Sequence, residues 1–392
     1  MKWKKMVCIL TVFSIVLSGC GWAIQSEETL PETSDNESST ASEMGVLSRS
    51  DGFMVGALSD KLTVRIAEED LNDENLETGK YAVLSAQIHE LDYQKLADQL
   101  FGKDVQLEHS DNGQVNSYTF TAENEDTFYY DTEQDRYSTV AFISSFQTQI
   151  QYIFRSSPKT EIMNEAGNTT SFFEKNRDLS FLSAEKAEET VRKLLEGCGL
   201  SLFPEADVYS LTKESLKKAE NYLDGMGELN DIRSGESLKK GKWTAEDECY
   251  YMIFRGSVEN LPVYQYRRMG REEELSAGTS IELIYSAEGI RYLYISNPYR
   301  MIEEISKKQK VVSMKEAFVQ LKDMYENILD ENKKTVEQCY LCYLPVYEKS
   351  GIILKPVWYL EVHTEYEQES DVQDQWNAYY LDADSCEWIT EE

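Results

Sequence analysis

Ser313-Met314-Lys315-Glu316-Ala317 opens the stretch that decides the fold, and Val336 to Tyr347 and Ile352 to Thr364 complete it. Serine followed three residues later by glutamate is a capping box. The serine side chain takes an unpaired N–H of the first helical turn, and the glutamate reaches back to the serine N–H. Ala317, Leu321, Met324, Tyr325 and Ile328 then recur at helical spacing and predict one buried stripe. The two following runs read as strands, rich in β-branched and aromatic residues. A helix with one apolar stripe next to two strands is expected to lie across one face of an antiparallel sheet.

The same order occurs upstream. Ser183 caps a helix whose stripe is Ala187, Val191, Leu194 and Leu195, with Gly197 as terminator. Pro262-Val263-Tyr264 in this unit matches Pro356-Val357-Trp358 in the last, and each unit closes with a hairpin about a short polar turn. An internal duplication is therefore expected. Before it, Leu62 to Ala67 and Tyr81 to Ile88 alternate as strands, and Asp92 to Phe101 reads as a helix stopped by Gly102. A hairpin turns at Asp111-Asn112-Gly113, and Thr127 to Tyr130 and Tyr137 to Ile143 add strands. The expected fold class is α+β, with two similar C-terminal helix-on-antiparallel-sheet units after a strand-rich N-terminal unit. The expected boundaries are a leader at 1–19, an acidic Ser/Thr-rich disordered tether at 20–50, a strand-rich domain at 51–160, and helix-on-sheet units at 181–300 and 311–392.

The leader decides location. Lys2, Lys4 and Lys5 precede an apolar run from Met6 to Val16, too short for a permanent membrane helix. Its end, Leu17-Ser18-Gly19-Cys20, resembles the lipobox of bacterial lipoproteins. The resemblance implies cleavage before Cys20 and a diacylglyceryl group on its sulfur, with acyl chains of the palmitate kind. Two chains anchor stably where one holds marginally. It places the protein on the extracytoplasmic face of the cell membrane, lipid-anchored.

The last unit carries a second resemblance. Its helix, its Pro-Val-Trp strand and Tyr380-Leu381-Asp382-Ala383-Asp384-Ser385 resemble the PepSY domain and the related YycH/YycI-type extracytoplasmic regulators of Gram-positive bacteria. In those, the closing hairpin often reads Asp-Ala-x-Thr-Gly. Here Ser385 stands for the threonine and Cys386 for the glycine. The match is best over Ser313 to Ile389, weaker over Ser183 to Pro298, and absent from Phe53 to Pro158. It implies one helix per antiparallel sheet and a binding or regulatory role, often on peptidases or sensor kinases. It implies no catalytic residues.

The formal charge of −32 argues against nucleic acid as a partner, because phosphates would be repelled. Losing the three leader lysines takes the mature protein to about −35. Such a body is also repelled by an anionic membrane surface, so the lipid must hold it there. Cys8 lies in the leader. Besides Cys20, Cys198, Cys249, Cys339, Cys342 and Cys386 remain, an odd number that cannot all pair within one chain. Cys339-Tyr-Leu-Cys342 has redox or zinc spacing but falls in a strand, where residues three apart face opposite sides. Buried structural thiols are expected, with a disulfide from Cys386 to one of the pair as the competing reading.

Chemistry is sparse. His89, His109 and His363 are not at metal-ligand spacing, and Asp131-x-Glu133-x-Asp135 fails as a calcium loop because Arg136 and Phe142 occupy required positions. Ser183-Ala-Glu-Lys186, Tyr325-Glu-Asn327 and Lys349-Ser350-Gly351 fall in the order used by serine β-lactamases and penicillin-binding proteins. Ser-x-x-Lys recurs at Ser210, Ser215 and Ser237, so that signal is cheap. Strand aromatics such as Tyr250, Tyr264, Tyr266, Trp358 and Tyr380 serve either packing or a ligand groove. No catalytic residue, metal or cofactor is expected. The expected function is non-catalytic: an accessory or regulatory lipoprotein binding another envelope protein. Alternatives are a peptide- or glycan-binding lipoprotein and, behind it, a serine hydrolase of the penicillin-binding class.

Overall fold

The first and last strands described share one sheet, and the segment between them builds another. A computed structural model describes residues 47–389 except 51, 69–70, 72–73, 134–136, 145–147, 158–161, 164–168, 171, 228, 230–236, 238, 266–277, 329–331, 350 and 367–374. Strands β1 (Ser48–Ser50), β2 (Phe53–Ala57), β3 (Leu62–Ala67) and β4 (Leu84–Ile88) start sheet one. The chain then leaves it for sheet two: β5 (Glu108–Asp111), β6 (Asn116–Thr121), β7 (Thr127–Glu133), β8 (Tyr137–Ile143), β9 (Glu174–Lys175), β10 (Leu202–Leu211), β11 (Cys249–Val258), β12 (Leu261–Pro262), β13 (Ser280–Ser286) and β14 (Gly289–Ser296). It returns to sheet one for β15 (Tyr299–Glu304), β16 (Lys333–Glu348), β17 (Gly351–Glu365) and β18 (Gln375–Asp382).

Sheet one runs β1-β2-β3-β16-β17-β4-β15, with β18 also on β17. The first and last thirds of the chain join where β3 pairs parallel with β16, Val64 opposite Val336. The long β17 divides its far edge, giving residues 352–354 to β4 and residues 357–364 to β18. Sheet two runs β9-β10-β11-β13-β14-β8-β7-β6-β5, with β12 on β11. All its pairings are antiparallel.

Among the described residues, five helices of nine residues or more cover these sheets: α1 (Tyr93–Phe101), α2 (Thr148–Ser156), α3 (Ala184–Gly197), α4 (Lys213–Gly225) and α5 (Met314–Glu326). Their ends follow the sequence chemistry. Asp92 Oδ1 accepts from Lys95 N at 3.1 Å, and Gly102 closes α1 at φ +64°, a conformation that side chains disfavour. Both capping-box bonds form at α5, Glu316 N donating to Ser313 Oγ at 3.2 Å and Ser313 N to Glu316 Oε2 at 2.7 Å.

Sheet two is covered on both faces. Tyr250, Met252 and Phe254 of β11 pack with α1 and α3, through Leu96, Ala187, Val191 and Leu195. The alternate residues Cys249, Tyr251 and Ile253 pack with α2 and α4, through Phe154, Leu216, Ala219 and Leu223. This is why the β11 sequence is a continuous apolar run rather than an alternation. Sheet one repeats the pattern. Cys339, Leu341 and Tyr343 share a core with Phe318 and Leu321 of α5, while Tyr340, Cys342 and Leu344 share another with Tyr264, Val357 and Tyr359. Trp358 sits fully buried on the α5 side and donates from Nε1 to Val312 O at 2.9 Å, tying β17 to the start of the helix. Truncating such a side chain costs about 3–5 kcal/mol.

The expectation of α+β helix-on-sheet units after a strand-rich N-terminal unit is corrected by this architecture. Among the described residues 48% lie in strands and 22% in helices, in large antiparallel sheets with short helices. The strands of residues 53–143 form no sheet of their own; they divide between sheets completed by distant segments. The physical reason is range. Capping and periodicity are read within a turn or two, whereas which strand lies beside which is set by pairing across hundreds of residues. Helix α2 is an added finding, its Ile150, Ile153 and Phe154 meeting the core at helical spacing.

Candidate functional site

A cleft of about 90 Å³ lies where the two sheets meet. Sheet one contributes His89, just past β4, and Tyr299 and Arg300 of β15. Sheet two contributes Gly199 to Ser201, between α3 and β10, and Gly256-Ser257 of β11. Backbone bonds hold the walls: His89 N donates to Pro298 O at 2.7 Å, and Ser257 N to Ser201 O at 2.9 Å. Both glycines sit in tight space. A Cβ on Gly199 would lie 3.2 Å from His89 Nε2, and one on Gly256 would lie 3.1 Å from Thr279 Cγ2. Gly199 also has φ +101°, which side chains rarely adopt. Arg300 stands opposite Gln87 in the β4–β15 pair. The hydrogen-bond network orients the Gln87 amide so that its oxygen accepts from Arg300 Nη2 and, at 2.7 Å, from Nε. His89 Nδ1 is buried and has no hydrogen-bond partner among the described residues. A second, larger depression lies open along α1 and is lined by Asp, Gln, Lys and Gly residues with no aromatic ring.

The remaining candidate groups are occupied in holding the fold. Cys339 and Cys342 are fully buried on opposite faces of β16, in different cores. Cys386 packs at the edge of the Cys339 core, and all five described cysteines are free thiols. Burial pushes the Cys339, Cys342 and Cys386 thiols above their ordinary value, away from the thiolate that redox chemistry needs. His109 stacks on Tyr118, with ring centroids 4.6 Å apart, and contacts Asn116 at 3.2 Å. His363 stacks on Trp376 at 4.3 Å and pairs with Glu337 at 3.2 Å. Among the described residues no group of His, Cys, Asp or Glu is placed to hold a metal ion. Asp131 and Glu133 lie along β7, in its pairing with β8.

The serine-hydrolase constellation is not assembled. Ser183 Oγ accepts from Lys186 N at 3.4 Å, the bond of an N-cap. Tyr325 packs on the core of sheet one, its hydroxyl 2.7 Å from that of Tyr379, whereas Ser183 opens α3 over sheet two. Lys349 is in the turn between β16 and β17, and residue 350 lies outside the described residues. Tyr251, Glu282, Arg155 and Tyr292 form a polar cluster under α2. Tyr251 donates its hydroxyl hydrogen to Glu282, and Arg155 Nη2 donates to Glu282 at 3.2 Å and to Tyr292 at 3.0 Å. Burial raises both tyrosines, so they stay neutral, Tyr251 donating to Glu282 and Tyr292 accepting from Arg155 of α2.

Leu17, Ser18, Gly19 and Cys20 lie outside the described residues, as do the tether up to residue 46 and Tyr266. Tyr250, Tyr251, Tyr264, Tyr292, Trp358 and Tyr359 are buried within the cores rather than lining a groove. Sequence reasoning missed the cleft. Gly199 and Gly256 are single glycines with no motif around them, and Arg300 meets His89 only through strand pairing.

No helix among the described residues is long and apolar enough to cross a membrane. No family model matches the chain, and no curated protein matches it. Among solved structures the chain is similar to the crystal structure of an uncharacterized protein from Eubacterium rectale ATCC 33656. The two share 13% sequence identity and a TM-score of 0.57, over 87% of this chain and 94% of that one. At that identity the likeness is one of fold alone.

Proposed function

We propose that the protein is a lipid-anchored extracytoplasmic accessory protein that binds another envelope protein and catalyses no reaction on it. The observation that carries this reading is the size of the inter-sheet cleft. At about 90 Å³, it is smaller than the roughly 300–1,000 Å³ that small-molecule sites occupy, and the roomier depression along α1 is open and lined only by polar residues and glycine. Its aromatic lining residues are His89 and the buried Tyr299, too little exposed ring face to stack a sugar or peptide. The dispersal of Ser183, Lys186, Tyr325 and Lys349 removes the best hydrolase reading of the sequence. The leader with Cys20 supplies the anchor, and the net charge of −32 suits a soluble body held at a membrane only by lipid.

The test is affinity capture from intact envelope with the wild-type protein and the Cys20→Ser form. Wild type is expected in the membrane fraction with one polypeptide in fixed ratio. Cys20→Ser is expected in the soluble fraction with that polypeptide depleted. Recovery of wild type with no fixed-ratio partner would remove the binding proposal, and membrane retention of Cys20→Ser would remove the anchor.

A further inference from the structure

The cleft between the sheets reverses the charge of the protein around it. The chain carries 71 acidic and 39 basic side chains. Yet the residues lining the cleft include Arg300 and His89 and no Asp or Glu. A recess lined by an arginine, a histidine and hydroxyls, with no carboxylate, favours an anion even within a strongly negative molecule. We infer that the cleft binds a small oxyanion, a free phosphate-type ion or a carboxylate group.

Three features give the donors. Gln87 takes the Nε and Nη2 hydrogens of Arg300, which orients the guanidinium and leaves Nη1 for a ligand. His89 has a buried, unpartnered Nδ1. A buried bare acceptor is tolerated better than a buried unpaired N–H, so the proton belongs on Nε2. Nε2 faces Gly199, a cleft residue whose missing Cβ keeps that side open. Ser201 and Ser257 add hydroxyls from sheet two. At about 90 Å³ the space holds several waters, enough for acetate or phosphate. Because Arg300 and His89 belong to sheet one and both serines to sheet two, the bound anion bridges the sheets. This inference is independent of the proposed accessory role, and either can fail without the other.

The test is thermal unfolding of the full chain in rising inorganic phosphate and, separately, acetate, with chloride holding ionic strength constant. A saturable rise in midpoint with either ion, weakened at least tenfold in apparent affinity in Arg300→Gln, is expected. Phosphate alone would identify a tetrahedral site, and acetate alone a carboxylate site. Lys315→Gln, an exposed charge on α5, is expected to respond as wild type does. His89→Gln, measured in the same way, is the second variant should Arg300→Gln fail to fold. The absence of a saturable shift with both ions would overturn the inference. So would an unchanged apparent affinity in the folded cleft variants.

Discussion

Removing one oxygen atom from Tyr250 is expected to destabilise sheet two more than its size suggests. Tyr250 is fully buried on β11, and its hydroxyl is used twice. It donates to Leu182 O at 2.6 Å and accepts from Leu179 N at 2.7 Å. These two leucines bracket the short bridge that precedes the Ser183 cap, and Asp178 Oδ1 completes the anchorage by accepting from Ala184 N at 3.0 Å. The hydroxyl thus fixes where α3 starts over the sheet. Tyr250→Phe keeps the ring and leaves a buried N–H and a part-buried carbonyl without their partner. An orphaned buried group costs about 1–3 kcal/mol, so the pair should cost about 2–4 kcal/mol. Tyr343→Phe is the matched control, because its buried hydroxyl makes a single bond, to Ala82 O at 3.2 Å. It should cost about 1–2 kcal/mol. Urea unfolding measures both, with the slope unchanged from wild type. A loss below about 0.5 kcal/mol for Tyr250→Phe would refute the reasoning, as would a larger loss at Tyr343.

Cys386 adopts φ +62°, at the position where the resembled hairpin motif carries glycine. Comparing Cys386→Gly with Cys386→Ala cancels the lost thiol, and the glycine form should be more stable by about 1–2 kcal/mol in urea unfolding. At α5, the backbone N–H of Ser313 and then its hydroxyl hold the Glu316 carboxyl below the ordinary carboxylate value of 4.5. Its contribution is therefore complete above pH 4.5 and lost as pH falls through the lower folded value. The stability gap between wild type and Glu316→Gln should shrink below pH 4.5, while Ser313→Ala should cost about 1 kcal/mol near neutrality. Burial raises the thiols of Cys198, Cys249, Cys339 and Cys342 as well as Cys386, so each carries less thiolate at pH 8 than a free cysteine. A thiol reagent should modify half-buried Cys386 slowly, faster as pH rises, and reach the other four only on unfolding.

Local chemistry was legible in the sequence. The capping residues Ser183 and Ser313, the stop at Gly102, and the strands 62–67 and 137–143 fall where short-range rules put them. The opposite faces of Cys339 and Cys342 follow from a two-residue period alone. Assembly was not legible. Val64 pairs with Val336 and Ala86 with Ile352, and no local pattern records a partner so far away. The runs around Tyr250 and Leu341 are apolar on both faces because both are covered, yet a continuous apolar run does not say what covers it. The cleft was hidden for the same reason. Its donors are one histidine, one arginine and two serines from four separated segments, brought together by the meeting of two sheets.

This chain, we propose, acts by holding another envelope protein at the membrane. Cross-linking in living cells, followed by denaturing electrophoresis and mass spectrometry, tests it most directly. The prediction is a discrete species heavier than the 45.2 kDa chain that contains one second polypeptide and is diminished in Cys20→Ser. A protein that remains entirely monomeric across cross-linker concentrations, in membranes where it is abundant, would contradict it.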